Sequence, residues 1–294
     1  MLSIKLTNWQ PWQMRPERFT VKDCLANAVM QAGLPRLEAQ MLLEYVLEQP
    51  RVWLIAHDEY LLSGDEFDRF DGLCQRRLMG EPMAYLVGVR EFMGLPFEVS
   101  PAVLIPRPET ELLVETALKW MDDLQAPRVL DLGTGSGAIA VAIAHARPDA
   151  RVCATDVSQE ALILAQRNAV RHGVNVKFAA GSWFAALDQA DEQFDLVVSN
   201  PPYIAAGDPH LVQGDLRFEP RNALTDESDG LAAYRFLASG APAFLASKGV
   251  LCLEHGFTQA NAVKQLLLNA GFLNVKTIQD LAGHPRVTMG SYNG

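Results

Sequence analysis

Val129-Leu130-Asp131-Leu132-Gly133-Thr134-Gly135-Ser136-Gly137-Ala138 joins a short apolar strand to three alternating glycines and then to the helical run Ile139 to Ala146. Glycine permits the tight turn and lets backbone approach a ligand closely. A helix that starts there aims its unpaired N–H groups and positive dipole end at the same point. The stretch predicts a strand–loop–helix unit of a parallel α/β sheet with a nucleotide-type site at its carboxyl end. It does not by itself choose the nucleotide. Gly133-x-Gly135-x-x-Ala138 also satisfies the dinucleotide fingerprint, with Asp156 about twenty residues on, closing the next strand Arg151-Val152-Cys153-Ala154-Thr155. Either reading gives Asp156 the ribose hydroxyls. Asp131 favours S-adenosylmethionine over NAD, because a carboxylate at the strand end attracts the ammonium of a methionine moiety and repels a pyrophosphate. The alternative for Asp131 is to cap the loop through nearby backbone N–H groups.

Further along, the apolar run Phe194-Asp195-Leu196-Val197-Val198 leads into Ser199-Asn200-Pro201-Pro202-Tyr203. Adjacent prolines donate no backbone hydrogen bond, have fixed φ, and push the preceding residue out of the helical region, so this loop is stiff and extended. The Asn200 side-chain carbonyl and the Pro201 backbone carbonyl are two acceptors that can converge on the two N–H groups of an amide or exocyclic amine. Tyr203 adds an aromatic face for a flat substrate group. The alternative is a Pro-rich turn that ends a buried strand.

Composition sets the outer limits. With 294 residues and 49% apolar content, the chain can hold one large domain and one small one, each with a core. Its four cysteines, Cys24, Cys74, Cys153 and Cys252, have no metal-ligand spacing and read as buried thiols in a reducing compartment. The six histidines have no such spacing either, so no metal is expected, and His255 receives no role. The N-terminus lacks a basic stretch followed by an apolar core, and no apolar run approaches the roughly 18 residues of a membrane helix, so a cytoplasmic protein is expected. A net charge of −10 argues against a broad nucleic-acid footprint.

Residues 1–90 read as a helical bundle. Thr20-Val21-Lys22-Asp23 opens one helix that Gly33 and Pro35 close, Leu37 to Leu47 forms a second, a short one covers Val52 to Ala56, and the capping box Ser63-Gly64-Asp65-Glu66 opens a long one. Ten Lys/Arg against twelve Asp/Glu leave this part nearly neutral, which suits a protein-docking module better than a nucleic-acid clamp; the alternative is a stabilising cap. Residues 91–106 read as a hairpin-like connector, Glu91-Phe92-Met93 and Leu95 to Val99 around Gly94. From Glu109 a helix precedes the glycine-rich strand. Strands are then expected at 128–132, 151–155, 174–180, 194–199, 249–254, 272–278 and 286–290, alternating with helices except for a final antiparallel hairpin. The glycine loop, Asp156 and Asn200 all fall at carboxyl ends of strands, where open α/β sheets bind ligands.

Leu104-Ile105-Pro106-Arg107-Pro108-Glu109-Thr110-Glu111, Asp131 to Gly137, and Asn200 to Tyr203 occur in one order and at familiar spacing. With Gly80 to Leu86, Phe218-Glu219-Pro220 and Leu253-Glu254-His255-Gly256, they make the chain resemble the release-factor glutamine methyltransferases over roughly residues 20–290. The resemblance implies a Rossmann-like, class I S-adenosylmethionine-dependent methyltransferase sheet over 107–294 behind an N-terminal helical substrate-docking domain. It also implies methylation of the side-chain amide nitrogen of the Gly-Gly-Gln glutamine in class I peptide chain release factors. Related enzymes that act on a large-subunit ribosomal protein share the Asn-Pro-Pro-Tyr loop but tend to lack the string at 107–111. Carried over from the family, the cofactor contacts are Gly133, Thr134, Gly135, Ser136, Gly137, Asp156, Trp183 and Asn200, with Asp131 added by the charge argument above. The family often has an acidic residue where this chain has Ser182.

The chemistry expected is direct in-line transfer of a sulfonium methyl, with Asn200, Pro201, Pro202 and Tyr203 placing the amide and no general base. Three other classes share parts of the pattern: DNA adenine methyltransferases, a non-enzymatic binding module, and an NAD enzyme. The acidic charge balance counts against the first, and the complete set of loops against the second.

Overall fold

The Thr20 hydroxyl accepts the Asp23 N–H at 3.2 Å while the Asp23 carboxylate accepts the Thr20 N–H at 3.1 Å, and this reciprocal pair starts α1 (Val21–Met30). In α2 (Arg36–Leu47) the buried residues Ala39, Leu42, Leu43 and Val46 recur at three- and four-residue intervals, so one stripe faces inward. After α3 (Arg51–Ala56), Ser63 and Glu66 form a second reciprocal box at the head of α4 (Gly64–Leu78), and α5 (Met83–Val87) follows. Val21, Cys24, Leu42, Leu43, Leu54, Phe70 and Leu86 share one core, each large side chain contributing roughly 1.5–3 kcal/mol by leaving water.

The computed structural model describes residues 19–187 and 193–294, and the chain divides into two units, Met1–Val87 and Gly88–Gly294. Residues 1–18 of the expected bundle lie outside the described residues. The second unit takes in β1 (Val89–Phe92) and β2 (Leu95–Glu98), an antiparallel hairpin, where the sequence led us to expect a separate connector. The reason is burial: Phe92 and Phe97 are in the core of that unit. Asn168 fastens the hairpin, since its Nδ2 donates to the carbonyls of Glu98 at 3.0 Å and Ser136 at 2.8 Å while its Oδ1 accepts the Glu98 N–H.

The remaining elements are α6 (Pro108–Trp120), β3 (Arg128–Leu132), α7 (Ala138–Ala146), β4 (Arg151–Asp156), α8 (Gln159–Arg171), β5 (Val176–Ala180), β6 (Phe194–Ser199), α9 (Arg221–Leu224), α10 (Ala232–Gly240), β7 (Leu245–Glu254), α11 (Ala260–Asn269), β8 (Leu273–Gln279) and β9 (Pro285–Ser291). They build a seven-stranded sheet of order β5-β4-β3-β6-β7-β9-β8, parallel from β5 to β7 and antiparallel at β9 and β8. This is the α/β methyltransferase-type sheet expected. Strand pleating divides the core: Val129, Val152, Leu196, Val198 and Val250 pack on one face, while Leu130, Cys153, Val197, Leu251 and Leu253 pack on the other.

The expected C-terminal hairpin is present, but the last strand is the inner one. Val287, Thr288, Met289 and Gly290 of β9 are buried, so β9 lies between β7 and the largely exposed β8. After β3 the chain moves outward through β4 to β5 and then returns to β6 on the other side of β3. This reversal opens a crevice between the carboxyl ends of β3 and β6.

Candidate functional site

Both loops singled out in the sequence leave that crevice, one from β3 and one from β6. The Gly133 and Thr134 N–H groups donate to the Thr155 carbonyl at 2.9 Å each, which folds the glycine loop back over β4. Gly137, at φ +81°, caps α7, and a Cβ there would stand 3.0 Å from Ala165 Cβ, so α8 packs directly against the loop. The Ser199 hydroxyl donates to the Leu132 carbonyl at 2.7 Å and ties the two strand ends together.

A cleft of about 1060 Å³, open mouth included, lies over these loops, at the upper end of small-molecule sites. Gly133, Thr134, Gly135, Ser136, Asp156, Trp183, Asn200 and Pro202 line it, as does Ser182. The Asp156 Oδ2 accepts the Gly135 N–H at 2.8 Å and its Oδ1 accepts the Ser158 N–H at 2.8 Å, so the carboxylate is held in place with a second lone pair free on each oxygen. Trp183 lies against Gly133, its ring 3.5 Å from where a Cβ would sit.

Four of the residues expected at the site do not line the cleft: Asp131, Gly137, Pro201 and Tyr203. Asp131 is fully buried, and its Oδ2 accepts the Thr134 hydroxyl at 2.6 Å. The sequence argument placed this carboxylate toward a ligand; β3 pleating instead turns it beneath the loop. Burial pushes its pKa up to about 7, and the pull of Thr134 and of the Ala140 N–H at the head of α7 offsets this only in part. Its Oδ1 has no partner among the described residues. Tyr203 is half-buried against the α10–α11 side of the sheet rather than presented to the cleft, and burial drives its pKa up to about 12. Pro201 is buried, and no described residue donates to its carbonyl.

The Asn200 loop is braced by residues to which the sequence reading assigned no role. Asn200 Nδ2 donates to Thr110 Oγ1 at 3.2 Å, and Glu254, the last residue of β7, is buried. On the other side Gln259 Nε2 donates to the carbonyls of Tyr203 at 2.9 Å and Gly230 at 3.0 Å, while its Oε1 accepts the Gly256 N–H. Arg107, on the cleft wall, pairs with Glu219, whose Oε2 also accepts the Ile105 N–H at 3.2 Å. That pair joins the loop before α6 to the segment before α9; Pro220 from that segment and Asn222 and Ala223 from α9 itself line the wall. The strings containing Thr110 and Glu219 were visible in the sequence, but only their spatial partners show what they brace. His255, given no role, is satisfied on both ring nitrogens: Nδ1 donates to the Gly256 carbonyl at 3.0 Å and Nε2 accepts from Thr288 at 2.8 Å. Among the described residues no His/Cys/Asp/Glu cluster could hold a metal ion, and no helix is long and apolar enough to cross a membrane.

Comparison with known proteins matches residues 108–218 to the methyltransferase small domain and residues 23–88 to the PrmC N-terminal domain. The release factor glutamine methyltransferase of Bordetella pertussis is 55% identical over 270 residues, covering 92% of this chain and 98% of the relative. The release factor glutamine methyltransferase of Escherichia coli is 47% identical over 259 residues, covering 88% and 92%. Among solved structures, a methyltransferase from Pyrococcus furiosus superposes with a TM-score of 0.51 at 23% identity, covering 75% of this chain and 97% of that one. A T. thermophilus 16S rRNA N2 G1207 methyltransferase, solved with AdoMet and guanosine, gives 0.51 at 19% identity, covering 70% and 50%. At that identity the two structures speak for the fold alone.

Proposed function

The chain belongs to the release factor glutamine methyltransferases, and on that premise we propose that it methylates the side-chain amide nitrogen of the glutamine in the Gly-Gly-Gln motif of class I peptide chain release factors, with S-adenosylmethionine as methyl donor. The observation that carries the reading is the setting of Asn200. It lies where β6 ends, on the same cleft wall as the glycine loop, with its amide nitrogen engaged by Thr110 and its carbonyl oxygen left to accept.

The residues fit the cofactor. Asp156 has lone pairs for vicinal hydroxyls, Trp183 and Ser182 border a slot for a purine, and Gly133 and Gly135 present backbone without side chains. A pyrophosphate would instead meet two carboxylates, Asp156 at the wall and Asp131 beneath it. When bound, S-adenosylmethionine supplies an electrophilic methyl group on a sulfonium. The protein must then present a poor nucleophile, an amide nitrogen whose lone pair is delocalised into its carbonyl. Asn200 Oδ1 and the Pro201 carbonyl accept the two N–H groups, which fixes the nitrogen and raises its electron density. Pro201 and Pro202 keep both acceptors in place by stiffening the loop. Tyr203 supports the loop from behind, through the carbonyl that Gln259 holds.

One glutamine side chain offers too little area to choose among proteins, so we assign docking of the release factor to the helical unit that precedes the sheet. Four buried cysteines suit a reducing cytoplasm. The test is to incubate the protein with S-adenosylmethionine and unmethylated release factor, digest, and locate the added methyl by fragment mass spectrometry. A methyl on the Gly-Gly-Gln glutamine is expected; a methyl only on a large-subunit ribosomal protein would overturn the substrate assignment.

A further inference from the structure

Gln259 holds the exit of the Asn200–Tyr203 loop with an amide that has no spare donor. Its two Nε2 protons go to the carbonyls of Tyr203 at 2.9 Å and Gly230 at 3.0 Å, and its Oε1 accepts the Gly256 N–H at 3.0 Å. Chemistry fixes the orientation of this amide, because a carbonyl oxygen only accepts and an N–H only donates. The Gly256 contact, three residues back, needs an acceptor alone, and a carboxylate would serve there. The two donations reach residues 56 and 29 positions away, so the side chain does more than shape the turn at the head of α11.

Two glycines make room for it. A Cβ on Gly230, at φ +78°, would stand 2.5 Å from the Tyr203 carbonyl oxygen and 3.0 Å from Gln259 Nε2, and one on Gly256 would stand 3.0 Å from Gln259 Oε1. What the amide holds is one peptide plane. The Ile204 N–H of the Tyr203–Ile204 peptide donates to the Leu224 carbonyl at 3.0 Å, and Gln259 tethers the same peptide by its oxygen. The other end of the loop is held at Asn200 by Thr110. Between these two points the rings of Pro201 and Pro202 lock their φ angles, which leaves few torsions through which the Pro201 carbonyl can move.

From this arrangement we propose that Gln259 is a positioning residue for methyl transfer, which holds the Tyr203 carbonyl and thereby aims the Pro201 carbonyl at an N–H of the substrate amide. The inference rests on the reading of Asn200 and Pro201 as the two acceptors given above. It also makes that reading testable, since no side-chain substitution deletes a backbone carbonyl, whereas the side chain that places it can be changed.

The experiment uses the full chain and the variants Gln259→Met, Gln259→Glu and Asn200→Ala. Gln259→Met keeps the length of the side chain and removes its hydrogen bonds. It is expected to lower kcat roughly tenfold to hundredfold, with the KM for release factor and the Kd for S-adenosylhomocysteine within about twofold of wild type. In the Asn200→Ala background it should cost less than it does alone, because acceptors that serve one amide act as a unit. Gln259→Glu supplies a readout that lost packing cannot mimic. Ionised, the new carboxylate only repels the two carbonyls; protonated, it donates to one of them. Its rate relative to wild type should therefore rise as pH falls from about 8 to about 6, while the ratio for Gln259→Met stays flat. The titratable and charged groups around this end of the loop are Glu254 of β7, His255, Arg286 of β9, Arg107 and Glu109 from the α6 side, and Asp226, which accepts the Gly230 N–H. Every variant keeps them, so the ratio to wild type removes their own titration. Full kcat in Gln259→Met, a flat ratio in Gln259→Glu, or losses of kcat, cofactor affinity and melting temperature in parallel would each overturn the proposal. Failure of the function assignment reads differently: wild type itself leaves the Gly-Gly-Gln glutamine unmethylated, and the inference falls with it.

Discussion

Arg107 and Glu219 form an ion pair across 112 residues of chain in which only one partner is out of water: the Glu219 side chain is 0% exposed and the Arg107 side chain 29%. Burial raises the Glu219 pKa, and Arg107 with the Ile105 N–H pulls it back. The asymmetry yields an unequal pair of variants. Arg107→Ala strands a buried carboxylate and should cost about 3–5 kcal/mol at pH 8, whereas Glu219→Gln leaves an arginine that solvent can reach and should cost clearly less. Urea midpoints of the two variants check this. The Glu219 pKa rises further in Arg107→Ala, so that variant should recover stability as pH falls from 8 to 5.

Asn200→Ala removes a preorganised acceptor that matters only as the amide nitrogen reacts. The expected loss is roughly 2–4 kcal/mol of transition-state stabilisation, read in kcat, with S-adenosylhomocysteine still bound. Near-normal turnover would remove Asn200 from the mechanism.

Gly137 makes a backbone prediction. Alanine there must adopt φ +81° and place its Cβ 3.0 Å from Ala165 Cβ and 3.2 Å from Ala165 Cα. Strain and contact together should lower stability by roughly 1–3 kcal/mol and weaken cofactor binding by displacing the start of α7. An unchanged melting temperature would mean that α8 moves aside freely.

Asp131 predicts the sign of a pH effect. Its folded pKa of about 7 lies above the ordinary carboxylate value of 3.8, so between these limits the folded state binds more protons than the unfolded one. Stability from this group therefore falls as pH rises from about 4 to 7 and levels off above. Asp149 and Asp229, held low by Arg147 and Arg235, lose their contributions only at lower pH, and His255, depressed by burial, acts in the opposite sense below pH 6.5. Subtracting Asp131→Asn from wild type isolates the effect. The wild-type advantage in melting temperature should be larger at pH 5.5 than at pH 8, and a pH-independent difference would rule it out.

The docking role assigned to the helical unit is tested by removing residues 1–87. The remaining sheet unit should retain the melting-temperature rise that S-adenosylhomocysteine causes and lose methylation of the whole release factor. Efficient methylation by the truncated chain would reduce the bundle to a cap.

How far the sequence could be read differs by element. The capping boxes at Thr20 and Ser63, the strand at 128–132 and the Asn-Pro-Pro-Tyr loop were legible because their signals are local: a side chain reaching three residues, an alternation of two, a fixed proline φ. Helix α5 was missed because five residues are too short for periodicity to register. The extra length of β7 before residue 249 was missed because its pairing with β6 is irregular there: Leu245 faces Phe194, the ladder resumes only at Leu196 and Val250, and the irregular stretch between holds Lys248 at φ +66°. Asp131 shows the limit most clearly. Its charge and its place beside the glycines suggested contact with a ligand, yet which face of the strand a residue occupies depends on what packs there, and the α7 side took it in.

The sequence by itself determined the class of sheet, the two loops that carry the chemistry, and the family, because each is written in residues close together along the chain. Only the tertiary structure decided that β9 inserts between β7 and β8, that the chain reverses between β3 and β6 to bring both loops to one crevice, and that Thr110, Glu219 and Gln259 brace the walls of that crevice. The physical reason is distance. Hydrogen bonds and ion pairs act over about 3 Å, so partners separated by ninety or more residues become neighbours only when burial of the sheet's two faces has fixed the topology.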